Sequence, residues 1–165
     1  MKLKIFRIIS LLFLLSIMLL IYNLSAETAA ESSKTSGGFS KLILSLFYPD
    51  FKTFSSEHQN EIISSFSFLI RKMAHFTLYG LLGFWVQMSI ITYRNIPFIT
   101  RNLIACALCL IYSVFDELHQ TFVSGRSGEL RDVLIDFSGA VICVVLSAFV
   151  IRYNKRLFNL VKDKR

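Results

Sequence analysis

The stretch "FDELHQTFVSGR" at 115–126 sets Asp116, Glu117, His119 and Gln120 directly behind an apolar run. Carboxylates and imidazoles so close together are suited to proton transfer. Asp116 or Glu117 has the chemistry of a general base, and His75 or His119 can exchange protons with it. These four are the candidate catalytic residues. Lys72, Arg126 and Arg131 are cations able to hold a phosphate or carboxylate, the arginines through a planar fork of donors. With Tyr79, Gln120, Asp132 and Asp136 they form the candidate binding set. No G-x-S-x-G pattern occurs, so covalent catalysis has no support. His75, Asp116, Glu117 and His119 also include metal-ligand types, but there is no H-E-x-x-H pattern. Glu117 and His119 are two apart and point differently on a helix, so neither a metal nor another cofactor is expected.

The elements that must carry these groups are membrane helices. The chain has 165 residues, 54% hydrophobic, with mean hydropathy +0.57, 2 Pro and 16 Phe. That is too apolar for an ordinary soluble domain. Four apolar segments, at about 8–24, 74–93, 103–123 and 133–151, approach the roughly 20 residues needed to cross a hydrocarbon core. Lipid offers the backbone no hydrogen-bond partners, so each is expected to cross as a helix. The fold class is therefore all-α, an integral membrane bundle of about four transmembrane helices. The formal charge of +7 could suggest nucleic acid, but in a membrane protein the side on which basic residues fall matters more. Nucleic acid is set aside as a partner; membrane lipids are the expected one.

Basic residues give the orientation. Lys2, Lys4 and Arg7, then Arg94 and Arg101, then six in the tail from Arg152 all lie on one side if both termini are cytoplasmic. Arg71 and Lys72 fall on the other side, against the trend. The chain divides into an N-terminal helix at 1–24 and an extracytoplasmic linker and amphipathic segment at 25–70. A helical membrane core at 71–152 and a basic cytoplasmic tail at 153–165 follow. The first helix also has the layout of a signal peptide, but "NLSAETAA" contains no convincing cleavage site, which favours a retained helix. "AETAAESSKTSGG" reads as a linker and "FSKLILSLFYPDF" as a segment lying on the membrane surface. A helix is expected from Ser56, with Ser56 and Gln59 as its capping box, running on into the second span. The basic tail is expected against anionic inner-leaflet lipids. Cys106, Cys109 and Cys143 lie in apolar helices and read as packing residues.

Helical rise gives each polar group a depth. Asp116 lies fifteen residues beyond Arg101, Asp136 sixteen before Arg152 and Tyr79 fifteen before Arg94. His119 and His75 come one turn higher. Three helices thus carry their polar groups in one layer near the outer surface. Lys72, His75 and Tyr79 share one face of their helix, Asp116, His119 and Gln120 another, and Asp132 and Asp136 a third. Charges facing lipid are costly, so these faces are expected to turn inward together. Arg126, in the turn formed by Ser124, Gly125, Ser127 and Gly128, can return to the acids or present its fork to an anion.

"RKMAHFTLYGLLGF" (71–84) and "DELHQTFVSGRSGELRDVLIDFSGA" (116–140) together resemble the VanZ-like family of bacterial integral membrane proteins. The resemblance covers roughly the last two-thirds of the chain. Its matching positions are Lys72, His75, Tyr79, Asp116, Glu117, Gln120, Arg126, Asp132, Asp136 and Gly139. Asn is common in that family at the place of Asp136, so the acid there is a variation. The resemblance implies a role in the cell envelope, with lowered susceptibility to teicoplanin-type glycopeptide antibiotics. A lipid-linked cell-wall precursor or the antibiotic itself is then the partner to consider. Two other readings stand beside it: a membrane enzyme acting on a lipid-linked or phospholipid anionic substrate, and a non-catalytic structural protein whose ion pairs fix helix packing. A proton-coupled transporter has little basis in four short helices without a repeat. The oligomeric state is not legible.

Overall fold

The computed structural model describes residues 2–93 and 96–154. Arg94, one of the depth markers, and the basic tail from Lys155 lie outside them. Among the described residues the structure is α-helical with no strand: α1 (Lys2–Ser25), α2 (Ala29–Phe47), α3 (Ser56–Ile90), α4 (Phe98–Gln120) and α5 (Leu130–Tyr153). A short 3-10 turn at Pro49–Thr53 joins α2 to α3.

Among the described residues, three helices have the length and composition to cross a membrane: Leu3–Ser25, Phe98–Gln120 and Leu130–Tyr153. Ile8, Leu12, Leu15 and Leu19 stay exposed along α1, as do Leu103, Ile111 and Phe115 on α4 and Val145 and Phe149 on α5. Apolar side chains left outside a packed bundle are those that lipid would cover. The remaining expected span is the C-terminal part of α3. This helix is less apolar because it is central, contacting α1, α2, α4 and α5. Its buried residues include Tyr79, Leu82, Val86 and Gln87. Protein neighbours meet part of what lipid could not: Gln87 Nε2 donates to Asn102 Oδ1 at 2.6 Å, while its Oε1 is buried without a hydrogen bond.

α3 has 35 residues, about 52 Å at the usual helical rise, whereas a hydrocarbon core is about 30 Å thick. It runs unbroken into the expected span. Its first turns therefore project past the bundle and pair with α2. Here the expected linker is a helix. Thr28 caps α2 in a reciprocal box with Glu31: the Glu31 backbone N–H donates to Thr28 Oγ1 at 3.3 Å, and Thr28 N–H donates to Glu31 Oε2 at 2.9 Å. The Thr28 hydroxyl, which also donates to Glu31 Oε2 at 2.7 Å, and secondarily the Thr28 backbone N–H hold the Glu31 carboxyl below its ordinary pKa. The serines that suggested a linker are small packing residues instead. Ser32, Ser36 and Ser40 are buried against α3, and Ser40 and Ser67 hydroxyls meet at 3.0 Å. On α3 the cap is Ser55, one residue before the expected Ser56, and Gln59 donates its side chain to Phe54 O at 2.9 Å rather than closing a box.

The interior is fixed by a seam of small residues between α3 and α5. A Cβ on Gly139 would stand 2.2 Å from the Phe76 carbonyl oxygen, and one on Gly83 2.6 Å from that of Ala140. Gly80 sits beside Cys143 in the same seam. Glycines let the two backbones touch, and dispersion contacts between closely packed helices hold them together within lipid. α1 is tied to the rest by Tyr112 Oη donating to Met18 O at 2.7 Å and by the Arg7 guanidinium donating to Thr92.

Gly139→Ala is expected to destabilise the bundle by about 1–3 kcal/mol through overpacking against backbone that cannot yield. Gly38→Ala, at an α2 position with no neighbour within 4 Å, should stabilise by up to about 1 kcal/mol through helix propensity. Thermal unfolding in detergent measures both; equal shifts would mean that the seam is not tightly packed.

Candidate functional site

The seam decides which side chains meet at the end of the bundle where α1 and α4 finish and α5 begins. On α3, His75, next to Phe76, and Lys72, about one turn before it, face Asp136 and Asp132 on α5. Lys72 forms an ion pair with Asp132, both partly buried. His75 Nδ1 stands 3.6 Å from Asp136 Oδ2. Asp136 is 1% exposed, and neither of its carboxylate oxygens has a hydrogen-bond partner. On the α4 side, Asp116 Oδ2 accepts from Tyr79 Oη at 3.0 Å and from Ser25 Oγ at 2.9 Å. Ligand atoms of His75, Asp116 and Asp136 all lie within 4.8 Å of one another. The convergence expected from depth is present across α3, α4 and α5.

The loop after α4 turns at Gly125, whose φ of +76° is the left-handed conformation that favours glycine. That turn sends Arg126 back over the site. Its guanidinium donates to Gln120 Oε1 at 3.0 Å and to Leu24 O at 3.1 Å, leaving Nε without a partner. Arg126 therefore returns inward, although it bonds Gln120 and the end of α1 rather than the acids. Burial, and secondarily the nearby Arg71 guanidinium, hold Arg126 below its ordinary pKa. A guanidinium starts so high that the charge persists at neutral pH. Arg71 Nε is also buried without a partner. Between these groups lies a cavity of about 180 Å³, lined in part by Arg71, Lys72, His75, Arg126, Asp132 and Asp136. A larger open groove of about 820 Å³ runs along α2 beside Glu27 and Lys34, and takes in none of the candidate residues.

Three of the expected site residues stand elsewhere. His119 stacks on Tyr22 of α1, with ring centroids 4.8 Å apart. A step of three residues turns it about 60° away from Asp116, toward α1 instead of the cavity. Glu117, about 100° around the helix from Asp116, accepts the Glu129 backbone N–H at 2.7 Å. It thereby anchors the residue that precedes α5, and its other oxygen is buried without a partner. Arg131 is exposed, with its guanidinium 5.6 Å from the Phe68 ring centroid. Two residues outside the expected set take part. Ser25 belongs to α1, the one spanning segment with no candidate site residue. Arg71 carried only a topological meaning, yet it sits beside Lys72 at the cavity wall.

Tyr79→Phe should cost about 1.5–3 kcal/mol, the usual worth of a hydrogen bond to a charged acceptor. A double-mutant cycle with Asp116→Ala, which removes the acceptor, should give a coupling of about 0.5–3 kcal/mol, measured by thermal unfolding. Additive effects would mean that the Tyr79–Asp116 bond does not form.

Comparison with known proteins agrees with the architecture. The VanZ/LLP1 family model matches residues 10–152. Neither the curated proteins nor the solved structures yield a match.

Proposed function

The chain belongs to the VanZ/LLP1 family of membrane proteins, and from that premise we propose that it acts in the bacterial cell envelope. There it lowers susceptibility to teicoplanin-type glycopeptides through the polar cavity at the Ser25 end of the bundle. With both termini cytoplasmic, as the basic residues favour, that end faces outward. The carrying observation is electrostatic. Arg71 and Arg126 are held near enough to repel one another, each with a buried unpartnered Nε, and Lys72 lies beside them. An anion between the guanidinium groups would satisfy both donors and relieve the repulsion.

The size of the cavity favours one partner. Pockets for drug-sized molecules run to about 300–1,000 Å³, so 180 Å³ suits a single phosphate or carboxylate group and not a glycopeptide. The reading is thus of a site that engages the anionic head of a lipid-linked cell-wall precursor or phospholipid. A second reading, an enzyme acting on that head group, is favoured by the His75–Asp136 pair at the cavity floor, which has the composition of a proton-transfer couple.

A sensitive bacterium carrying the wild type should tolerate more teicoplanin than one carrying Arg71→Gln at equal membrane abundance. Loss of one charged hydrogen-bonding group should weaken anion binding roughly 10–100-fold. Protection by neither protein would remove the antibiotic role; equal protection by both would remove the cavity from it. Conversion of the lipid head group by purified protein, abolished in Asp136→Asn, would select the enzyme reading.

A further inference from the structure

We propose that His75, Asp116 and Asp136 bind a divalent first-row transition-metal ion, of the Zn2+ or Mn2+ class, with an open coordination position facing the cavity. The three side chains come from three helices, and their ligand atoms all lie within 4.8 Å of one another. Ligands on one ion with bonds of about 2.0–2.2 Å stand about 3.4 Å apart at the tetrahedral angle and about 4.2 Å apart across an octahedron. The 3.6 Å between His75 Nδ1 and Asp136 Oδ2 falls in that interval. It is also too long for a hydrogen bond.

Asp136 supplies the independent observation. Its side chain is almost wholly buried, it lines the cavity, and neither of its oxygens accepts a hydrogen bond, His75 standing 3.6 Å from one of them. A buried carboxylate in that condition is costly unless something coordinates it. Asp116, by contrast, is oriented by hydroxyl donors from Tyr79 and Ser25, as carboxylate ligands commonly are by the groups around them.

The charges are consistent with this assignment. A doubly positive ion would neutralise Asp116 and Asp136, while Lys72 and Asp132 already neutralise each other. Arg71 and Arg126 then face an anion at the open position, with Glu27 and Glu117 the other acids near Arg126. One imidazole with two carboxylates suits borderline ions, since imidazole favours zinc and carboxylate favours manganese. The donor set differs from the one the sequence suggested, which included Glu117 and His119. Glu117 holds the Glu129 backbone and His119 stacks on Tyr22, and neither falls in the cluster of His75, Asp116 and Asp136, although Glu117 Oε2 and His119 Nδ1 are buried without hydrogen bonds.

Metal uptake shares the cavity of the proposed antibiotic role but is measured apart from it, so either can fail alone. Purified full-length protein, in a His58→Ala background that removes the exposed His58–Glu61 pair, is titrated with Zn2+ or Mn2+ alone and followed by thermal unfolding. The expected result is a stabilisation that saturates at one equivalent, is reversed by chelator, and is lost in His75→Gln and Asp136→Asn. No saturable stabilisation by either ion would overturn the assignment, as would undiminished stabilisation in both variants. Should the variants not accumulate, X-ray absorption of the zinc-loaded parent decides: an imidazole with oxygen ligands supports the site, and oxygen-only coordination refutes it.

Discussion

Backbone contact between α3 and α5 is the constraint on which the rest of this molecule depends. Gly139 against the Phe76 carbonyl, and Gly83 against that of Ala140, leave no room for even a methyl group. Within lipid there is little hydrophobic drive for helices to associate, so close packing of small residues must supply it. Once the backbones touch, the register of the two helices is set. His75 then faces Asp136, and Lys72 faces Asp132, one and two turns from the crossing. The glycines hold no ligand and move no proton, yet every polar contact across this helix pair follows from them.

A second layer of order comes from the need to satisfy polar groups away from water. Asp116 is met by Tyr79 and Ser25, Gln120 by Arg126, and Glu117 by a backbone N–H ahead of α5. These contacts join α1, α3, α4 and the loop before α5 into one network. Within and around it a few atoms stay without hydrogen bonds: both oxygens of Asp136, Glu117 Oε2, His119 Nδ1 and the Nε atoms of Arg71 and Arg126. Most buried polar groups find partners, so the exceptions mark where something else is accommodated. Here a carboxylate that accepts no hydrogen bond and two guanidinium groups, each with an unbonded Nε, line the same small cavity. A site able to take a cation at its floor and an anion at its mouth is a coherent chemical arrangement.

Much of this was legible in the chain. Hydropathy marked four helical segments, and helical rise put Tyr79, Asp116 and Asp136 at one depth. Both inferences rest on local regularities that hold for any helix. The α2 segment misled because its Ser, Thr and Gly content resembles a linker, while its role is to give α3 a surface of small residues to pack on. The Thr28–Glu31 capping box was present in "TAAE" as a signal for that helix.

What composition and periodicity alone determined is the class of the molecule, its membrane setting and the layer in which its ionisable groups lie. Rotation about each helix axis was decided only by tertiary packing. Asp116, Glu117 and His119 sit within one turn, and no local rule says which of them faces the cavity. The glycine seam and the Gly125 turn select Asp116 for the interior, send Glu117 to the approach of α5 and leave His119 against Tyr22. Ser25 and Arg71 join the site for the same reason. Depth is a property of one helix, whereas facing is a property of pairs of helices in contact.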